Sequence, residues 1–150
     1  MNKRIKVAAV ATALAASLLV GGVALAGSSK VTGGGQTKRG ATLAFVANAD
    51  HSGHLTYVRH STSAKLECGR FHSFHSLKTA KGYPKVVVTA KQCFRRDGKR
   101  RYLKAVFIDR GEPGGSDIAR VMWAKRWPAT RRTVVKRDKG VLSNGNIQVH

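Results

Sequence analysis

The sequence predicts an all-β protein, folded as a single-domain antiparallel β-barrel or β-sandwich. Three observations lead there. Apolar and polar residues alternate with period two over several short stretches, Gly, Pro, Asp and Asn fall between them, and no apolar stripe of period 3.6 persists over three helical turns. After a glycine-rich lead, GSSKVTGGGQTKRG, a short first strand centres on Val31. ATLAFVAN sets Leu43 and Phe45 against Thr42, Ala44 and Val46, and GHLTYVRH sets Leu55 and Tyr57 against His54, Thr56, Val58 and His60. Segments of this length and period read as half-buried strands. PKVVVTAKQCF is rich in β-branched residues, which suit a pleated surface, and RRYLKAVFID aligns Leu103, Ala105 and Phe107 on one face. Between these two, RRDGKRR holds Asp97-Gly98, a dipeptide favoured in tight hairpin turns whose two central residues take positive φ. DIARVMWAKRW is the one stretch where a helix could intrude, but it separates Ile118, Met122 and Ala124 from Val121 and Trp123 and is ended by Pro128. RTVVK and NIQVH are expected as two further short strands.

The N-terminal residues predict export. Lys3, Arg4 and Lys6 precede an apolar run from Val7 to Ala26, and ALA is followed by Gly27, Ser28 and Ser29. This is the layout of a secretory signal peptide over residues 1–26, cleaved after Ala26. A membrane anchor is the other reading of such a run, but its alanines bury little area and Gly21-Gly22 interrupts it, so no stable membrane insertion is expected after cleavage. Residues 27–150 are then one secreted or envelope-associated domain.

The whole chain carries a formal charge of +21, and loss of the leader leaves 25 basic against 7 acidic residues, a balance of +18. A field of that sign attracts polyanions: envelope polymers, acidic glycans, lipid phosphates or nucleic acid. A solvated basic surface is the plainer reading. Cys68 and Cys93 are the only cysteines, and in an oxidising compartment such a pair forms one disulfide. Closing that loop stabilises the fold by roughly 3 to 4 kcal/mol in the chain-entropy treatment.

KVTGGG at 30–35, GHLTYVRH at 53–60, DRGEPGGSD at 109–117 and LSNGNIQVH at 142–150 occur in an order and at separations that resemble a family of secreted bacterial β-domains of post-COAP-1 type. The resemblance spans nearly all of the exported part and implies one complete extracellular β-domain without assigned catalytic residues. The chain departs from that pattern in being far more basic at RRDGKRR and KRWPATRRTVVKRDK.

Those two stretches are the candidate polyanion-binding clusters: Arg95, Arg96, Lys99, Arg100 and Arg101 beside Phe94 and Tyr102, and Lys125, Arg126, Arg131, Arg132, Lys136, Arg137 and Lys139 beside Trp123 and Trp127. Arginine forks bind phosphate bidentately, and aromatic rings stack on bases or sugars; the alternative puts the tryptophans in the core. Asp109, Glu112 and Asp117 offer oxygens to a calcium ion, but the set is incomplete. The plainer reading is a turn between neighbouring strands, its acids paired with arginines such as Arg110 or Arg120. His51 and His54, like His72 and His75, are three apart, which chelates zinc only from a helix or bent loop. No cofactor is expected. The function expected is non-catalytic binding of anionic polymer or the envelope surface. Two other classes remain: a small secreted hydrolase or nuclease, in which His60, His72, His75 and Glu67 would converge in one cleft, and a structural extracellular module, calcium-stabilised or not.

Overall fold

The computed structural model describes residues 29–111, 114–129 and 134–150, with the backbone alone at 134–137 and 139; residues 1–26, expected as a signal peptide, lie outside the described residues. The strands are β1 (Lys30–Thr37), β2 (Ala41–Asn48), β3 (Gly53–Arg59), β4 (Ala64–Cys68), β5 (Ser73–Lys78), β6 (Pro84–Arg95), β7 (Arg100–Ile108), β8 (Ile118–Ala124) and β9 (Val134–Val149). Eight of them close an antiparallel barrel, in the order β1, β2, β3, β4, β6, β7, β8, β9 and back to β1. The all-β expectation holds, and barrel replaces sandwich. The ninth strand, β5, lies along the N-terminal half of β6, while β4 takes the C-terminal end of the same edge.

Period-two alternation places the core as expected. Leu43, Phe45, Leu55, Tyr57, Leu103, Ala105, Phe107, Val121 and Trp123 all point into the barrel and are buried. Phe45 and Phe107 stack at 3.7 Å with their planes 10° apart, and Tyr57 meets Trp123 edge-on at 4.9 Å. Gly33 leaves no room for a side chain, because a Cβ there would run into the Asn146 carbonyl of β9 and stand 3.0 Å from the Ile147 Cα and 3.1 Å from the Phe45 ring. An eight-stranded barrel is just wide enough to be filled by such side chains. A smaller apolar cluster, Val106, Ile108 and Ile118 with Val87 and Val141, covers part of the outer wall.

Three features depart from the sequence reading. RTVVK and NIQVH contribute to a single strand of 16 residues, whose first half pairs with β8 and second half with β1. The strands β4 and β5 were not expected. β4 is only five residues long, and β5 buries neither face fully, so neither writes a clear apolar period. At the β6–β7 tip only Gly98 has positive φ, +73°. The Gly98 amide donates to the Arg95 carbonyl at 2.9 Å, and the Arg95 amide to the Lys99 carbonyl at 3.1 Å. This is a three-residue loop with glycine in the left-handed position. Asp97 accepts the Lys99 amide instead of taking positive φ itself.

Two joints complete the barrel. Between β4 and β6 the ladder is short, Leu66 to Arg95, Glu67 to Phe94 and Cys68 to Cys93, and the expected disulfide lies on its last pair. The inward register of Cys93 depends on a β-bulge: Ala90 and Cys93 are both fully buried, and the two residues between them both face outward.

The other joint lies where β8 starts, leaving the second half of β9 with one edge unpaired by any strand. Here the acids act. The Asp117 Oδ2 accepts the Ile147 amide at 2.7 Å, and the Asp109 Oδ2 accepts the Val149 amide at 3.2 Å. Two residues apart on β9, these amides face the same edge, so carboxylates stand where a strand's carbonyls would. The Asp109 and Asp117 Oδ1 atoms accept the Gly111 and Arg110 amides at 2.8 Å, closing the loop on itself. On the opposite edge of β9, Gly145 (φ +96°) faces Gly35 of β1. A Cβ at Gly145 would run into the Gly34 carbonyl and the Gly35 Cα.

Candidate functional site

The β6 bulge helps to form a surface recess. By turning two successive residues outward it adds Lys91 and Gln92 to a recess of about 330 Å³ whose other walls are His51, Arg70, Phe71 and His72. His51 sits at the β2–β3 turn with φ +69°. Its carbonyl accepts the Phe71 amide at 3.0 Å, which fixes the β4–β5 connection against that turn. The recess therefore combines residues from three separate parts of the chain.

An aromatic strip runs from the recess to the hairpin tip. Trp127 follows β8 and presents an edge-on contact to His72 at 5.3 Å, while the Lys91 ammonium lies 4.9 Å from its ring centre. Tyr102 on β7 is 5.9 Å from Trp127, and the Arg100 guanidinium lies 5.5 Å from the Tyr102 ring. Arg100 also donates to the Lys91 carbonyl at 2.8 Å. The two tryptophans thus divide: Trp123 is core, 4% exposed, and Trp127 is surface, 37% exposed.

On the other side of the tip lies a second recess, of about 440 Å³, lined by Val58, His60, Ser63, Lys65 and Arg96. The predicted hairpin cluster is therefore divided by its partners. Arg96 faces this recess. Arg95 and Lys99 pair with Asp97 at 3.6 and 3.9 Å, and the Lys99 amide together with these cations holds the Asp97 carboxyl below its usual range. Arg101 is 7% exposed and donates to the Arg100 carbonyl at 2.7 Å, so this member of the cluster is a buried strand residue. Lys125 and Arg126 are exposed after β8. Arg131 and Arg132, and the side chains of Lys136, Arg137 and Lys139, lie outside the described residues.

The remaining expected sites resolve differently. The oxygens of Asp109 and Asp117 accept backbone amides, and the Arg110 guanidinium lies over Tyr83 at 5.9 Å. Glu112 lies outside the described residues. No group of three or more His, Cys, Asp or Glu is placed to hold a metal among the described residues. His51 and His72 meet in one recess, but their expected partners His54 and His75 are not part of it. His60 lines the other recess, and Glu67 pairs with Lys65 at 2.8 Å, so the cleft expected of a hydrolase is not formed from these residues.

One further ionisable group is internal. The Tyr57 hydroxyl donates to the Asp138 Oδ2 at 2.6 Å, and Arg59 donates to the same oxygen at 3.3 Å and to the tyrosine oxygen at 3.3 Å. Asp138 is 1% exposed, and its Oδ1 has no hydrogen-bond partner among the described residues. Burial first, and then the Asp138 carboxylate, push the ionisation of Tyr57 well above the usual phenol value. Period-two reading placed Tyr57 in a strand face, but nothing local to GHLTYVRH announces a partner 81 residues away.

Four stretches singled out in the sequence converge on β9. KVTGGG forms most of β1 and pairs with it, Tyr57 of GHLTYVRH reaches Asp138 on it, Asp109 and Asp117 cap its amides, and NGNIQVH is its end. Comparison of the chain with protein-family models, curated proteins and solved structures finds no match.

Proposed function

We propose that this chain is an exported, non-catalytic β-barrel domain that binds anionic polymers of the cell envelope or nucleic acid through the cations flanking the β6–β7 tip. The observation that carries this reading is the placement of the acids. Of the acids described, Asp117 and Asp138 are buried, Asp109 caps backbone amides, and Asp50 is engaged with Ser52. Only Glu67 and Asp97 form exposed ion pairs, with Lys65, Arg95 and Lys99. Carboxylates engaged with the chain do not pair with the outer cations, so most of those cations keep no acidic neighbour and the surface field stays strongly positive. Arg70, Lys91, Arg96, Lys125 and Arg126 have no ion-pair partner among the described residues.

Uncompensated cations along a groove bind polyanions by releasing condensed counterions, which makes affinity fall steeply with salt. The leader-like N-terminus and the motif resemblance support an extracellular setting. Titration with heparin, polyphosphate and single-stranded DNA at rising ionic strength tests the proposal. The expected result is binding at low salt that weakens by about 10²-fold or more between 50 and 200 mM salt. Binding that is absent at low salt, or indifferent to salt, contradicts it.

A further inference from the structure

We infer that the recess beside Trp127 is a subsite for single-stranded nucleic acid, with a phosphate held by Arg70 and Lys91 and a base stacked on the Trp127 ring. The inference rests on the polyanion reading above and narrows it to one class of polymer.

A polymer recognised by charge alone needs only cations. This surface interleaves cations with a half-buried and an exposed ring: Arg100 over Tyr102, Tyr102 beside Trp127, Lys91 over Trp127. Trp127 is 37% exposed although the barrel interior accommodates Trp123 at 4%, so its position outside is not forced by its size. The His72 ring packs against it at 89°. A ring so held and partly open to solvent offers a stacking platform, and the flexible lysine over it can swing away to a phosphate. Base stacking on aromatic side chains between backbone-tracking cations is how single strands are held without sequence preference.

The recess supplies the anion half of the site. Arg70 and Lys91 approach it from different elements, Gln92 adds an amide, and no acidic residue lines it. Arg70 comes from the β4–β5 connection and Lys91 from the bulge, so the two cations converge because the fold brings these segments together.

The test uses three ligands at one salt concentration: a short oligothymidylate, the abasic oligonucleotide of the same length, and heparin. Trp127→Ala is expected to weaken oligothymidylate binding by about tenfold, the effect of removing one stacked base, while abasic DNA and heparin change by less than about twofold. Trp127→Phe is expected to retain most of the oligothymidylate affinity, which separates lost stacking from lost folding. Equal weakening of oligothymidylate and abasic DNA, or no weakening of either, overturns the subsite and leaves the polyanion reading intact. Weakening of heparin as large as that of oligothymidylate overturns it in favour of a glycan. Failure of wild-type protein to bind any of the three at low salt overturns the polyanion reading itself.

Discussion

Around β9 the described acids bond to the chain, whereas around the β6 bulge Arg70 and Lys91 line an open recess and form no ion pair among the described residues. Asp109, Asp117 and Asp138 each hold a distant part of the barrel: the amides of Ile147 and Val149, or the hydroxyl of Tyr57. Arg70, Lys91 and Arg96 line recesses and form no ion pairs among the described residues. Two regions of one small barrel thus use charge for opposite ends. The scarce acids complete the backbone hydrogen bonding of a strand that has lost its neighbour, since a buried amide left unpaired is costly. The abundant bases are left to solvent and to whatever anion arrives. Substitution should therefore separate them, with stability lost at one and binding at the other.

The sharpest break should come at Gly145. Its φ of +96° and the backbone facing its Cβ direction leave no room for alanine, so Gly145→Ala is expected to lose about 4 kcal/mol of unfolding free energy or to fail to fold. A loss below about 1 kcal/mol in denaturant titration would remove the close β1–β9 approach from the account. Replacing Cys68 and Cys93 together by serine, which opens the short β4–β6 ladder, is expected to lower unfolding free energy by about 3.5 kcal/mol. Reducing agent should reproduce the shift in wild-type protein and leave the double variant unaffected.

Asp117→Asn replaces a charged acceptor of two amides by a neutral amide whose nitrogen can only donate. The expected loss is about 2 to 3 kcal/mol, with polyanion affinity at neutral pH unchanged or slightly raised; affinity that collapses while the fold persists would place this loop in the binding face. Tyr57→Phe is expected to be milder, about 2 kcal/mol at neutral pH, and to carry a pH signature. Because the folded phenol ionises above its ordinary value of 10.0, its contribution is fully present below that pH and is lost as pH rises beyond it. The gap between wild type and Tyr57→Phe should narrow above pH 10, and a gap constant to higher pH would contradict the buried Tyr57–Asp138 bond.

How far this division was legible in the sequence depends on range. Strands with a clean apolar period, β2, β3, β7 and β8, follow from spacing because one face must enter the core. β4 and β5 escape that reading, because a short closing strand and an outer edge strand bury too little to write a period. The cysteine pair could be read from count and compartment, but its place at the barrel closure needed the β6 bulge, which nothing in TAKQCF announces. DRGEPGGSD is legible as a turn. Two of its acids, Asp109 and Asp117, accept amides of β9, which was not foreseen, because hydrogen bonds to a strand 30 to 40 residues away leave no local trace. The basic clusters were plain as charge. Which members matter was not, since Arg101 points to a backbone carbonyl and Arg70 and Lys91, distant in sequence, share a recess.

The separation of the two regions is tested most directly by the salt dependence of polyphosphate binding in Arg70→Gln/Lys91→Gln, measured beside its unfolding free energy. The predicted slope of log affinity against log salt is shallower than wild type by about 1.5 to 2, as expected when two phosphate contacts are lost, with unfolding free energy within about 0.5 kcal/mol. An unchanged slope, or a slope that falls only together with stability, would contradict the assignment of binding to this face.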